Sequence, residues 1–286
     1  GLARLDGHLE LNPPADSIVG DGDRLVMIAD DLESIELGKP SSRLPRGETT
    51  ELAAAASEEH ILVVGWNPIG THLLSGWAET TSASSTVDIA FDPRMIQIAD
   101  VDLPEFDIDT RLSPTPETAH LDFDHPPTTI VVLGYTSIDS DEADARTMLD
   151  VMLLRRRCEA AGKAPRMIVQ MLDEDRAGLT DLTGTDDLLI SAALGSQFIA
   201  QLIEQPERRA VLLELYGGDA ASIRMVRCGL LDLVGTFSTS DIVAATYAAG
   251  GLAIGWRRTA DGAVMLNPGA SECVTLSAED EIVVVG

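Results

Sequence analysis

Aromatic residues make up only 4% of this 286-residue chain, and 20 Lys and Arg face 47 Asp and Glu. The first shortage leaves a core built from Val, Ile, Leu, Ala and Met, since the apolar fraction is still 45%. The second leaves a net charge of −27. That charge repels phosphate backbones and anionic lipid surfaces and excludes nucleic-acid binding through a basic patch. Cationic, metallic or protein partners remain, beside the plain reading of a well-solvated surface. Cysteine is scarce too: Cys158, Cys228 and Cys273 are odd in number and far apart, without the spacing of a zinc site or a disulfide framework. They read as reduced, small core residues. No apolar run reaches the roughly 18 residues of a membrane helix and no signal-peptide pattern opens the chain, so it is not expected to span a membrane itself. Signatures of catalysis are also missing. His8, His60, His72, His120 and His125 form no His-Glu-x-x-His pair, and no serine sits in a Gly-x-Ser-x-Gly elbow; a non-enzyme is expected.

What is present is a repeat. Gly7-His8-Leu9-Glu10-Leu11-Asn12-Pro13, then Ser17, Asp23 and Leu25-Val26-Met27-Ile28, is echoed by Gly262-Ala263-Val264-Met265-Leu266-Asn267-Pro268, then Ser271, Asp280 and Ile282-Val283-Val284-Val285. Each copy reads as a strand, a Leu-Asn-Pro turn that Pro forces out of the ladder, and an apolar strand entered through an Asp. Residues 1–37 are therefore expected to be the end of a preceding lobe. The Pro-, Gly- and Ser-rich segment Gly38 to Glu51 makes 38–57 a linker. Together with Gly1 in place of Met, this suggests a piece of a longer protein with at least two tandem units.

Between the copies, strand and helix alternate. His60 to Gly65 is a buried β-branched run, Pro68 to Glu79 a helix with Pro in its first turn, Thr86 to Asp92 a strand ending in an acid, and Thr128 to Leu133 a third strand. A weak strand is expected somewhere in the irregular stretch 102–127. Asp139 to Ala161 predicts a helix with acids first, arginines last, and an apolar face through Met148, Val151, Met152 and Leu154. Strand Arg166 to Leu172, helix Asp175 to Leu182 closed at Gly184, strand Asp187 to Ile190 and an exit helix Ala192 to Glu204 follow. Such alternation specifies a parallel, Rossmann-like sheet over 58–205. From Ser222 the rhythm becomes strand (222–227), helix (240–249), strand (252–257) and a terminal pair, a small α+β lobe over 206–286. The fold class is α/β, with a parallel-sheet domain, a small lobe, and the last strands of another lobe in front.

The turn Gly65-Trp66-Asn67-Pro68-Ile69-Gly70 stands where a dinucleotide phosphate loop would, with Asn67 in place of the glycine that lets a pyrophosphate approach. Asp92 lies about 20 residues on, where a ribose hydroxyl is held in such folds. Gly65, Asn67, Gly70 and Asp92 are the candidate ligand residues; a scaffold whose glycines serve only turn and packing geometry is the competing reading. Acids cluster at Asp139-Ser140-Asp141-Glu142 with Asp144, at Asp173-Glu174-Asp175 and at Asp186-Asp187. They offer hard oxygen ligands for Ca²⁺ or Mg²⁺ without EF-hand spacing, and acids at helix starts are also expected from the dipole alone.

Laid out in tandem, a glycine-loop Rossmann domain, an exit helix and a small lobe ending in Leu-Asn-Pro, an acid and an apolar strand resemble the RCK (TrkA-type) cytosolic domains of ion channels. Ile61-Leu62-Val63-Val64-Gly65-Trp66-Asn67, Glu142-Ala143-Asp144-Ala145-Arg146-Thr147, Gly184-Thr185-Asp186-Asp187, Ile254-Gly255-Trp256-Arg257 and Leu266-Asn267-Pro268 are similar to the bacterial relatives of the CASTOR/POLLUX channels. The resemblance implies a regulatory domain on the cytoplasmic side of a membrane, hung from a pore in the same polypeptide and assembled as a dimer or larger gating ring. It implies Ca²⁺ or a nucleotide of NAD or ADP type as ligand, while naming no metal residues. Asn67 belongs to that pattern. The apolar residues Leu194, Phe198, Ile199, Leu202 and Ile203 of the exit helix exceed what one domain covers and fit self-association, or else burial between two lobes. A soluble NAD(P)-dependent oxidoreductase and a peripheral TrkA-like subunit of a potassium transporter are the alternatives.

Overall fold

The computed structural model describes residues 1–14, 16–28, 58–97, 101–103, 108–114, 126–173, 187–216 and 223–286. The expected linker 38–57, the helix 175–182 with its Gly184 stop, His120 and His125 lie outside them. Two compact units divide the chain, Gly1–Ala54 with Pro206–Gly286, and Ala55–Gln205.

Three short strands open the first unit: β1 (Leu2–Ala3), β2 (Leu9–Glu10) and β3 (Arg24–Leu25). They form an antiparallel sheet in the order β2-β1-β3.

The second unit is Rossmann-like. Its strands are β4 (His60–Val64), β5 (Thr86–Phe91), β6 (Asp109–Pro114), β7 (Thr129–Val132), β8 (Arg166–Met171) and β9 (Asp187–Ile190), all parallel in the order β6-β5-β4-β7-β8-β9. β6 is the strand that the Pro- and Asp-rich stretch concealed. Alternation along β4 sends Ile61 and Val63 to one face and Leu62 and Val64 to the other. The first face packs with Leu74 of α1 (Pro68–Thr80), Val87, Ile89 and Phe91. The second packs with Val151, Leu154 and Cys158 of α2 (Ser140–Ala160), Ile130, Val132, Met167 and Val169. A sheet covered on both sides needs the near-continuous apolar strands seen here. The buried stripe of α2 is Ala143, Asp144, Thr147, Val151, Leu154 and Cys158. Met152, expected on that stripe, is exposed, because it follows Val151 by one step of about 100°. The strand order reverses between β4 and β7, which puts the crevice of such folds above their C-terminal ends. α3 (Ser191–Glu204) closes the unit with Leu194, Ile199 and Ile203 exposed.

The first unit resumes with α4 (Arg208–Tyr216), β10 (Ile223–Arg227), a 3₁₀ turn (Cys228–Leu231), β11 (Gly235–Ser238), α5 (Thr239–Ala248), β12 (Leu252–Arg257), β13 (Val264–Leu266), β14 (Cys273–Leu276) and β15 (Glu281–Val285). The strands make one antiparallel sheet, β10-β15-β12-β13, and a separate pair, β11-β14. Ser238 and Asp241 cap α5 reciprocally, each side chain meeting the other's backbone N–H. The core is Cys228, Leu233, Ile242, Trp256, Leu276, Ile282 and Val284. Leu11 of the N-terminal segment packs with Val285, joined by Val26, Ile254, Val211 and Leu215. The Asn12 amide donates to the Gly250 carbonyl (3.0 Å), and the Tyr247 hydroxyl to the Pro13 carbonyl (3.2 Å). Cys158 and Cys228 are buried free thiols, whereas Cys273 is exposed and does not join the core: it sits on β14, whose pattern leaves alternate residues on the outer face.

Candidate functional site

At the end of β4 the chain turns at Gly65, whose φ of +78° suits glycine and whose missing Cβ would lie 2.6 Å from the Leu133 carbonyl oxygen. Trp66 then folds inward, 4% exposed. Its ring lies against Gly70, where a Cβ would come within 2.9 Å of three ring carbons. Gly70 thus serves indole packing within its own loop.

Asn67 is buried and does three things. Its Oδ1 accepts from Ile69 N (2.9 Å), capping α1. Its Nδ2 donates to the Gly134 carbonyl after β7 (2.7 Å) and to Gln170 Oε1 on β8 (2.8 Å). Gln170 Oε1 also accepts from Gly134 N (3.2 Å). The Asn67 carbonyl takes Gly70 N (2.9 Å). Two of the N–H groups with which a helix start receives an anion are therefore already engaged.

Asp92 directly follows β5, 3% exposed. Arg94 grips it through Nε (3.0 Å to Oδ1) and Nη2 (2.7 Å to Oδ2), and its backbone N–H donates to Oδ1 as well (2.9 Å). Arg146 of α2 pairs with Oδ2. These bonds, the Arg94 side chain foremost, hold the Asp92 carboxyl at about 2 against the opposing effect of burial. Arg146 also lies over the Tyr135 ring, 5.2 Å from its centroid. The Tyr135 hydroxyl donates to Asp150 (3.0 Å). Burial pushes the Tyr135 hydroxyl well above its usual range, and the Asp150 carboxylate adds to this; burial also raises Asp150.

Four residues proposed from the sequence thus sit at the ends of β4 and β5 beside the strand-order reversal. Glycine spacing gave no sign of what surrounds them: Arg94, Arg146, Tyr135, Asp150 and Gln170. Arg146 was visible only as part of the Asp-Ala-Arg-Thr segment. Asp144, buried where Asp139, Asp141 and Glu142 of the expected acidic cluster are exposed, accepts Leu172 N and Asp173 N (2.9 Å each). Asp139 caps α2 through Asp141 N (3.0 Å). Among the described residues no three His, Cys, Asp or Glu side chains converge on a metal position. No helix among them is long and apolar enough to cross a membrane.

No described protein family matches the sequence, and no curated protein does. Solved structures similar to it include the GsuK channel, 12% identical at a TM-score of 0.39, over 81% of this chain and 37% of that one. The GsuK RCK domain is 12% identical at 0.35, over 82% and 45%. The GsuK channel bound to NAD is 14% identical at 0.39, over 81% and 37%. This chain spans less than half the length of each.

Proposed function

We propose that the chain is the ligand-sensing, RCK-type regulatory region of a cation channel on the cytoplasmic side of a membrane, acting by rearrangement of a ring of such domains. The observation that carries the reading is the placement of α2, whose Asp144, Arg146 and Asp150 engage the ends of β8, β5 and β7 at the strand-order reversal. A ligand that competes for Arg146 changes what holds α2. Such a ligand shifts a conformational equilibrium only by its difference in affinity for the two arrangements.

The ligand is a nucleotide of NAD or ADP type, whose phosphate is received by Arg94 and Arg146 instead of the glycine loop that Asn67 has closed. Ca²⁺ is the competing ligand. The exposed Leu194, Ile199 and Ile203 of α3 supply the surface for self-association.

Thermal unfolding with Ca²⁺, Mg²⁺, NAD⁺, NADH, ADP and ATP tests this, because a ligand specific to the folded state raises the midpoint by mass action. A nucleotide-specific rise that Arg146→Ala removes is expected. A Ca²⁺-specific rise moves the site to the acidic residues. No response to any of the six, or turnover of NADH, overturns the reading.

A further inference from the structure

The sequence repeat is also a structural one, and the two copies differ in what covers them. β2-β1-β3 and β13-β12-β15 have the same order and the same antiparallel sense. Leu2 pairs with Glu10 and Leu25 as Trp256 pairs with Met265 and Ile282. Arg4 N donates to the His8 carbonyl (2.8 Å) as Arg258 N does to that of Ala263 (3.0 Å). One carboxylate staples each hairpin: Asp23 accepts Leu5 N (3.0 Å) and Gly20 N (2.8 Å), Asp280 accepts Thr259 N (2.8 Å) and Ser277 N (2.7 Å). Gly1 stands where Gly255 does. A Cβ on Gly1 would meet the Glu10 carbonyl oxygen and Leu11 Cα at 3.1 Å, and one on Gly255 would meet the Met265 carbonyl oxygen at 2.1 Å and Leu266 Cα at 3.0 Å.

Counting from the two aspartates, Val19, Leu25 and Met27 correspond to Leu276, Ile282 and Val284. The latter are 2%, 0% and 1% exposed, and the former 56%, 49% and 48%. Leu276, Ile282 and Val284 are covered by Cys228, Leu233 and Ile242, and β10 pairs along β15. Among the described residues no strand pairs with the outer edge of β3. Leu2, in the place of Trp256, is already buried, so the open part is the strip Val19, Leu25 and Met27.

We propose that this strip and the β3 edge are the docking face for a strand and helix equivalent to Ile223–Ala248, carried ahead of Gly1 in the same polypeptide. In the covered copy the chain passes from α5 into β12 and reaches Gly255 directly. A segment of this kind therefore reaches Gly1 in register without added linker. The covered copy also fixes the chemistry of the occupant: an antiparallel edge strand followed by a helix presenting small and β-branched apolar residues. The inference rests on the repeat and is independent of the ligand reading.

The test supplies the segment. A second copy of residues 206–254 is fused directly to Gly1, and Leu25→Cys or Met27→Cys is placed in a Cys273→Ser background of both the 286-residue chain and the fusion. Maleimide labelling of the new thiol is expected to be fast in the 286-residue chain and at least about tenfold slower in the fusion, as for a thiol shielded by a folded element. Equal rates in the two overturn the proposal. So does slow labelling in the 286-residue chain that becomes fast on dilution as light scattering shows a dimer dissociating, which assigns the strip to a second copy.

Discussion

The Asn67 amide nitrogen lies 2.8 Å from Gln170 Oε1, joining the first turn of α1 to the end of β8 across the place where the strand order reverses. Asn67→Ala removes a helix cap and leaves the Gly134 carbonyl short of a donor. A loss of about 2–4 kcal/mol is expected in urea unfolding. A loss below about 0.5 kcal/mol means that water replaces the amide at no penalty.

Asp92 sets an acid limb. Its carboxyl is at about 2 in the folded state, against the ordinary 3.8. A depressed value stabilises the fold above the ordinary pKa and the contribution disappears as pH falls through the folded one. Stability of the native chain is expected to fall between about pH 4 and pH 2 through this group. Asp92→Asn starts lower at neutral pH and falls less over that window, as read from urea midpoints at each pH. Parallel curves for the two proteins refute the linkage.

Two glycines separate opposite effects of one methyl group. Gly255→Ala sets a Cβ against the Met265 carbonyl oxygen, so the β12-β13 pairing must shift. A loss of about 3 kcal/mol or more is expected in calorimetry. Gly76, on α1, has open space around its Cβ position. Gly76→Ala is expected to gain about 0.5–1 kcal/mol, because alanine has less freedom to lose in a helix.

Thiol titration distinguishes the cysteines. Burial, with Asp280 adding to it, lifts the Cys228 thiol to about 11, and burial also raises Cys158. Native protein at pH 8 is expected to react quickly at Cys273 alone, and at all three after denaturation.

The parallel sheet was legible because buried strands must be apolar: Ile61 to Val64 and Thr129 to Val132 announce themselves. β6 did not, since Asp109, Thr110, Arg111 and Ser113 form an edge strand with one neighbour and little apolar demand. β11, β14 and α4 escaped for a similar reason, with outer faces in water. At the site, the glycine spacing located the crevice but not its state. Whether Asn67 closes the loop depends on Gln170 and Gly134, and Asp92, already gripped by its near neighbour Arg94, is tied to α2 through Arg146. Gln170, Gly134 and Arg146 are brought near by topology, which periodicity does not encode.

Asp144 gives α2 a further property. One carboxylate on the helix holds both Leu172 N and Asp173 N at the end of β8, so neither element can fray there alone. In amide hydrogen exchange the two should behave as a single opening unit. Slow exchange at Leu172 and Asp173 would then report on the helix, making these two amides an internal gauge of whether α2 is seated or released.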